Sequence, residues 1–204
     1  FSLIETLAWR PDSGFVLLEE HLQRLQDSAD YFAFPCALEV LRQQLLAAVA
    51  NGTNPGCKLR LLLDRAGRVH IETHPLPPPN DHPLRLVLAQ APVEANNRFL
   101  YHKTTLRQLY TQARATADPL ADDVLLYNQH RQLTETTIAN IVLTLDGRRY
   151  TPPVRCGLLP GTLRQHLLES GAIEERILPI DCLARAEAIT LINSVRGELE
   201  ARLL

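Results

Sequence analysis

The chain lacks methionine, has a single tryptophan and contains only two lysines, Lys58 and Lys103, among its 21 basic residues. It also lacks a CxxC pair and any group of cysteines and histidines at zinc-ligand spacing, so no metal site is expected. The four cysteines are scattered along the sequence, which favours free thiols in a reducing cytoplasm. No apolar run approaches the roughly 18 residues that span a bilayer, and no signal-peptide pattern opens the chain.

The charge pattern excludes a further class of protein. With a net charge of -2 and no basic block or basic-aromatic stripe, nothing in the sequence indicates nucleic-acid binding. Hydrophobic residues make up 46% of the chain and charged residues 22%, which is the balance of a globular protein with an ample core. Because the chain opens on the strand-like "FSLIETLAW" without a methionine, we expect its native start to be missing or processed.

Periodic apolar residues predict hairpins and helices in the first part of the chain. Residues 2–20 are expected to form a hairpin in which "FVLLEE" is the returning strand. "EEHLQRLQDSADYFAF" predicts a helix that Pro35 ends, and "LEVLRQQLLAAVANG" predicts a second helix that Asn51 and Gly52 end. "CKLRLLLD" and "VHIETH" predict another hairpin around the turn "RAGR".

A proline-rich stretch, "HPLPPPNDHP" at residues 74–83, is too stiff for a helix or a central strand. We therefore place a linker at residues 76–82, between a small N-terminal α/β domain at 1–75 and a larger C-terminal α/β domain at 83–204. The alternative is a long surface loop within one domain.

Strands and helices are again mixed beyond the proline-rich stretch. "LRLVLAQA" predicts a strand, and "TTLRQLYTQARATA" predicts a helix that begins just after Lys103. "DDVLLYN", "LTETTIANIVLTLDG" and "RRYTPP" predict consecutive strands, "GLLPGTLRQHLLESG" a turn and a helix, and "AITLINS" a further strand. The regular alternation of a doubly wound parallel sheet is missing, so the expected fold class is α+β.

Lys103 is the first candidate for chemistry. In a sequence that uses arginine for nearly every cation, a lysine is expected where a primary amine is needed, since only lysine can lose its proton and attack a carbonyl. Its position after an apolar aromatic stretch and before a predicted helix favours partial desolvation. Chance retention is the alternative, and Lys58 fits that description.

The other candidate groups are less specific when each is taken alone. Glu135 lies in the otherwise uncharged "LTETTIAN", where a half-buried carboxylate would need a partner; the alternative is an edge-strand glutamate that faces water. Arg24, on the polar side of a predicted helix, is by itself most simply a surface arginine. "LLPGTLRQ" and "NSVRG" are turns whose backbone N–H groups could bind a phosphate. Together, an amine, an acid, an arginine and amide-rich turns are the groups that pyridoxal 5'-phosphate requires.

In these stretches the sequence resembles the class IV aminotransferase family, the fold-type IV enzymes that use pyridoxal 5'-phosphate. The resemblance covers nearly the whole chain and is most specific in "HLQRLQDSA", "HKTTLRQLY", "LTETTIANIVL" and "GLLPGTLR", which occur in the family's order. It implies a two-domain α+β fold like that of D-amino acid aminotransferase. A shortened N-terminal domain is expected, because a segment ahead of the "IET" strand is lacking.

The resemblance also implies roles for individual residues. Lys103 would form the Schiff base with the cofactor and act as general base, and Glu135 would bind the pyridine nitrogen. Arg24 and the backbone N–H groups of Thr162 and Leu163 would bind the phosphate, although the family more often has Ile-Thr at the latter two positions. Further contacts are implied for Asn193, Ser194 and Val195 (phosphate or substrate), Asn140 (support of Glu135) and Thr6 (substrate).

Within the family the resemblance is strongest to the 4-amino-4-deoxychorismate lyases, especially the lyase domain fused behind aminodeoxychorismate synthase. It implies a lyase that releases pyruvate and forms 4-aminobenzoate for folate biosynthesis, acting as a cytoplasmic homodimer with a functional link to that synthase. Two alternatives remain. One is an aminotransferase of D-amino or branched-chain amino acids, and the other is a non-catalytic cofactor-binding or scaffolding domain.

Overall fold

The computed structural model describes residues 1–50 and 55–204. The chain divides into two compact units, one made of Phe1–Pro78 with His102–Leu106 and the other of Pro79–Tyr101 with Arg107–Leu204. The division in the proline-rich stretch falls between Pro78 and Pro79. The sequence prediction assigned Lys103 to the C-terminal domain, whereas its stretch groups here with the first unit.

The first unit is a sheet covered by helices. In its described residues the strand order is β2-β1-β3-β4, and β1, β3 and β4 pair antiparallel. The strands are β1 (Leu3–Arg10), β2 (Gly14–Phe15), β3 (Cys57–Leu63) and β4 (Val69–Pro75), and the helices are α1 (Leu18–Phe32) and α2 (Leu38–Val49). Leucines alternate along β3 and recur at helical spacing in both helices, and they form one buried core. The predicted hairpin of β3 and β4 is confirmed.

The first hairpin is shorter than predicted. The strand β2 covers only Gly14 and Phe15, and the chain turns at Leu17, in the left-handed region at φ 54°, into α1. The prediction that "FVLLEE" forms a strand is therefore wrong, because a short apolar run fits a helix start equally well. The helix α1 ends at Phe32, ahead of Pro35 as expected. The predicted stop of the second helix at Asn51 and Gly52 lies outside the described residues.

The stretch His102–Leu106 runs along the start of β1. The Ile4 amide donates to the Lys103 carbonyl at 2.8 Å, Leu3 and Thr104 form an antiparallel bridge, and the Thr105 amide donates to the Ser2 carbonyl at 2.9 Å. Because β2 pairs only with the end of β1, the start of β1 can take this second partner. These bonds explain why Lys103 belongs to the first unit.

The second unit is built around one large mixed sheet, and all of its residues are described. The strand order is β10-β9-β8-β11-β12-β5-β6-β7, and β7 also pairs with β8. This last pairing closes six of the strands into a ring filled by leucine and isoleucine side chains. The strands are β5 (Leu84–Leu88), β6 (Asp123–Tyr127), β7 (Leu133–Thr136), β8 (Asn140–Leu145), β9 (Arg148–Thr151), β10 (Glu174–Glu175), β11 (Ala188–Asn193) and β12 (Gly197–Leu203).

The helices of this unit lie outside the ring. They are α3 (Gln108–Ala115) and α4 (Thr162–Glu169), with short 3-10 turns at Arg98–Leu100, Val154–Cys156 and Ile180–Arg185. The helix α3 begins four residues later than predicted, since the backbone of Thr104 and Thr105 is bonded to the start of β1. Lys103 is thus not at a helix start. The mixture of antiparallel and parallel pairs confirms the α+β class.

The segment "LTETTIANIVLTLDG" also differs from the prediction. It forms two strands, β7 and β8, joined by a tight turn in which the Thr136 amide donates to the Ala139 carbonyl at 2.8 Å. The turn places Glu135 directly opposite Asn140. Among the described residues, no helix combines the length and the apolar character needed to cross a bilayer.

Candidate functional site

Glu135 is a buried acid with two neutral hydrogen-bond donors. Only 4% of the residue is exposed, so the alternative of a water-facing edge glutamate is wrong. The Tyr110 hydroxyl donates to Oε1 at 2.8 Å, and Asn140 Nδ2 donates to Oε2 at 3.3 Å. A carboxylate removed from water needs such donors, and each of its oxygens receives one.

Asn140 joins the acid to the start of α4. Besides Glu135, its Nδ2 donates to the Leu159 carbonyl at 2.9 Å. Its Oδ1 lies so close to Gly161, the residue before α4, that a Cβ atom there would come within 2.0 Å of it. Only glycine therefore allows the loop to approach Asn140. The acid and the first turn of α4 are held together in one unit.

The first turn of α4 contains the predicted phosphate contacts. Thr162 is buried at 4% exposure, and the Leu163 side chain packs against the apolar cluster formed by Val142, Ile173 and Ile192. The Leu163 side chain is thus committed to the core, which leaves its backbone as the part that can face a ligand. The N-terminal end of a helix favours an anion through its backbone dipoles.

Replacing Gly161 with alanine is expected to destabilise the protein. The new Cβ would displace Asn140 from Glu135 and from the Leu159 carbonyl, because it would lie 2.0 Å from Asn140 Oδ1. We expect a loss of about 1–3 kcal/mol in the free energy of unfolding, measured by denaturant titration. In an Asn140→Ala background the clash is absent, so the same change should cost much less. An equal cost in both backgrounds would contradict this explanation.

The Asn193–Val195 loop lies beside the same site. In the β11–β8 pairing Ile192 is opposite Asn140, and Asn193 is the last residue of β11. Asn193 Oδ1 accepts hydrogen bonds from the amides of Val195 at 3.1 Å and Arg196 at 2.9 Å. The side chain of Asn193 therefore shapes this turn, and the Val195 amide already has one acceptor.

The first unit contains the other predicted residues, and β1 connects them. Ile4 binds the backbone of Lys103, Glu5 binds Arg24, and Thr6 follows on the opposite face of the strand. His102, the neighbour of Lys103, forms a 2.9 Å hydrogen bond between its Nδ1 and the Ser28 hydroxyl. The His102 ring also packs against the rings of Tyr31 and Phe32. The Lys103 backbone is thus fixed both to β1 and to α1.

Arg24 is part of a buried ionic group. Its Nε and Nη2 donate to the two oxygens of Glu5 at 2.9 and 2.7 Å, and its side chain is only 11% exposed. The alternative that Arg24 is simply an exposed surface arginine is therefore wrong. His21 Nδ1 lies 2.6 Å from the same carboxylate. Burial alone would raise the pKa of Glu5, but the charges of Arg24 and His21 and their hydrogen bonds lower this pKa to about 2.

The ionic group around Glu5 makes the free energy of unfolding depend on pH in the acid range. Because the folded-state pKa of about 2 lies below the ordinary value of 4.5, the stabilisation is complete above pH 4.5 and is lost as the pH falls toward 2. We expect Glu5→Gln to lower the free energy of unfolding at neutral pH by about 3 kcal/mol and to flatten its pH dependence in that window. Exposed Glu39, changed to Gln, should keep the wild-type curve. Parallel curves for Glu5→Gln and wild type would refute the assignment.

The sequence prediction missed four residues in the groups around Glu135, Asn140 and Arg24. Glu5, between Leu3 and Leu7 on the buried face of β1, broke an apolar alternation, which is a signal the sequence contained. His21 lies three residues before Arg24 on one helix face. Tyr110 and Gly161 carried no local signal, because their partners, Glu135 and Asn140, lie on other elements.

Three comparisons relate the chain to known proteins. The family model for amino-transferase class IV matches residues 2–204. A Schizosaccharomyces pombe protein named "Putative aminodeoxychorismate lyase" is 33% identical over 202 residues, which cover 96% of this chain and 86% of that protein.

Two solved structures of other proteins resemble this one over the full length of the chain. A Mesorhizobium loti structure named "Putative amino-acid aminotransferase" is 38% identical with a TM-score of 0.93, covering 100% of this chain and 99% of its own. The 4-amino-4-deoxychorismate lyase of Pseudomonas aeruginosa is 28% identical with a TM-score of 0.84, covering 100% of this chain and 83% of its own.

Proposed function

The chain belongs to the class IV aminotransferase family, whose members use pyridoxal 5'-phosphate, and from that premise we propose that it is a 4-amino-4-deoxychorismate lyase. The comparisons confirm the predicted family, its fold-type IV architecture and its cofactor. They also favour an enzyme that acts on a small molecule over the alternative of a non-catalytic domain. The proposed reaction releases pyruvate and leaves 4-aminobenzoate. The observation that carries it is the 33% identity to the S. pombe protein across nearly the whole chain.

Features of the described residues fit the cofactor. Glu135 is a buried acid that can meet a pyridine nitrogen, and the first turn of α4 offers helix-start amides to a phosphate. Gly161 lets the start of α4 lie directly against Asn140, since a Cβ there would collide with the asparagine. When bound, pyridoxal phosphate supplies an electron sink for a carbanion next to nitrogen.

Lys103 and Glu135 would handle the protons. Lys103 would be the amine that binds the cofactor covalently and, once released as a neutral amine, the base that takes the proton from the amine-bearing carbon of the substrate. Once that proton is removed, the C–O bond between the ring and the enolpyruvyl group would break. The released enolate would then take up a proton to become pyruvate. Glu135 would remain a carboxylate and keep a proton on the pyridine nitrogen.

The resemblance assigns the phosphate an arginine and several backbone amides. Arg24 would donate from its guanidinium while Glu5 holds that group in a fixed orientation. Thr162 and Leu163 would donate from their backbone amides, with further contacts from Ser194 and its neighbours Asn193 and Val195. Asn140 would support Glu135 and Thr6 would meet the substrate.

The experiment is a pyruvate assay with the purified, cofactor-loaded protein. With 4-amino-4-deoxychorismate as substrate, release of pyruvate coupled to lactate dehydrogenase should follow the appearance of 4-aminobenzoate one to one. With D- or L-alanine and 2-oxoglutarate in place of that substrate, turnover should be far slower. Absence of 4-aminobenzoate would contradict the lyase assignment.

An aminotransferase is the second candidate, because the Mesorhizobium loti relative with 38% identity carries that name. Lys103, Glu135 and Arg24 serve both reactions and do not discriminate between them. The second substrate discriminates between the two reactions: an aminotransferase must bind a keto acid that accepts the amino group, whereas the lyase needs none. Fast exchange of amino groups between amino acids and 2-oxoglutarate, without lyase turnover, would favour this candidate.

We also propose that the enzyme acts as a homodimer in the cytoplasm and draws its substrate from aminodeoxychorismate synthase. The proposal follows from the family resemblance. Sedimentation of the cofactor-loaded protein should give twice the mass of the 22.9 kDa chain.

A further inference from the structure

Tyr110 is a half-buried residue whose hydroxyl donates to the candidate acid. It lies in the first turn of α3 and donates to Glu135 Oε1 at 2.8 Å. Burial and, next, the negative charge of Glu135 raise the pKa of Tyr110 well above its usual range. The hydroxyl therefore stays protonated throughout the working pH range, so that it donates and does not compete for a proton.

Arg107 fixes Tyr110 from the other side. Its guanidinium lies over the Tyr110 ring, 4.4 Å from the centroid, and its Nη2 donates to the Thr137 carbonyl in the turn between β7 and β8. The start of α3 thus contacts the β7–β8 hairpin twice, once at the turn and once at the acid. A cation over an aromatic face is attracted to it, and this favours one position of the ring.

We propose that Tyr110 is a positioning residue that holds the Glu135 carboxylate in the orientation in which it meets the cofactor's pyridine nitrogen. The inference rests on the proposed cofactor role of Glu135 and extends it to a residue of α3. Tyr110 orients Oε1 and Asn140 orients Oε2, so the plane of the carboxylate is set from two elements.

The two hydrogen bonds fix the orientation of the Glu135 carboxylate before the cofactor binds. A carboxylate with one donor on each oxygen loses little freedom when its partner binds, because its rotamer is already fixed. Without the Tyr110 hydroxyl, Oε1 loses this donor at 2.8 Å. The contact of Oε2 to Asn140 is longer, at 3.3 Å, and Asn140 Nδ2 is shared with the Leu159 carbonyl. The acid would then sample several orientations, and the ring nitrogen would hold its proton less well.

The test is a double-mutant cycle of Tyr110→Phe and Glu135→Gln in the cofactor-loaded enzyme. Tyr110→Phe should lower kcat roughly tenfold with KM unchanged, the effect of one hydrogen bond to a charged group. It should also shift the visible absorbance of the bound cofactor, which depends on the charge at its ring nitrogen. In the Glu135→Gln background, Tyr110→Phe should add almost nothing, since Tyr110 acts through the charged acid.

A matched control removes a hydroxyl elsewhere in the same unit. Tyr150, on β9, contacts Arg148 and Arg176 with its ring, and Tyr150→Phe should leave kcat and the spectrum unchanged. Equal losses from Tyr110→Phe with and without Glu135 would show a merely structural role and overturn the inference, as would an unchanged kcat and spectrum. If the wild type proves to be an aminotransferase, the cycle is measured on that reaction, so failure of the lyase assignment and failure of this inference are separate results.

Discussion

Lys103→Ala should abolish pyruvate release from 4-amino-4-deoxychorismate, with a fall in kcat of about 10⁴-fold or more. The change removes both the amine that binds the cofactor and the base that takes the substrate proton. The fold should persist, because the Lys103 stretch is tied to β1 by its backbone, through the Ile4 amide and the Thr104 bridge, and alanine keeps these bonds. The coupled pyruvate assay and the visible absorbance of the protein are the measurements.

The chain offers a matched control for this change. Lys58, the other lysine, lies in β3 opposite Ala8 and His74, and Lys58→Ala should retain wild-type kcat and absorbance. Addition of a small primary amine should restore part of the activity of Lys103→Ala and leave Lys58→Ala unaffected. Turnover of Lys103→Ala at the wild-type rate without added amine would exclude Lys103 as the base.

Glu135→Gln should lower kcat roughly 100-fold while the protein keeps its cofactor. Glutamine has nearly the same shape, and its carbonyl can still accept from Tyr110. Its amide nitrogen would replace the oxygen that accepts from Asn140, so one of these two contacts is lost. Glutamine also carries no negative charge and cannot hold a proton on the pyridine nitrogen. The bound cofactor should therefore show a changed absorbance, measured alongside kcat in the lyase assay.

The control for Glu135→Gln is an exposed acid of the same unit. Glu200 on β12 faces solvent, and Glu200→Gln should leave kcat and the spectrum as in wild type. An unchanged rate for Glu135→Gln, with cofactor bound, would mean that Glu135 does not face the ring nitrogen.

Local sequence patterns predicted the individual strands and helices better than the contacts between them. The burial of Glu135 followed from its uncharged surroundings, and the hairpin of β3 and β4 followed from alternating leucines around a turn. The pairing of the Lys103 stretch with β1 had no such signal, because residues about 100 positions apart meet through backbone bonds that any side chain allows. For the same reason, the late start of α3 was not predicted.

The candidate site shows the same division. The choice of Lys103 came from an arginine-rich composition and from chemistry, whereas the roles of Arg24, Thr162 and Leu163 came from the family resemblance. The burial of Arg24 could not be predicted from its helix alone, since its partner Glu5 lies on β1 and the pair forms only in the folded chain. Periodicity describes one element at a time, and the site is built from contacts between elements.

The most direct test of the account is to reduce the cofactor-loaded protein with borohydride and to locate the attached group by peptide mass mapping. Reduction makes the bond between a lysine amine and the cofactor aldehyde permanent, so the peptide that carries the added mass identifies the residue. We predict a single modified peptide containing Lys103. A modification at Lys58 or at the amino terminus, with Lys103 unmodified, would contradict it.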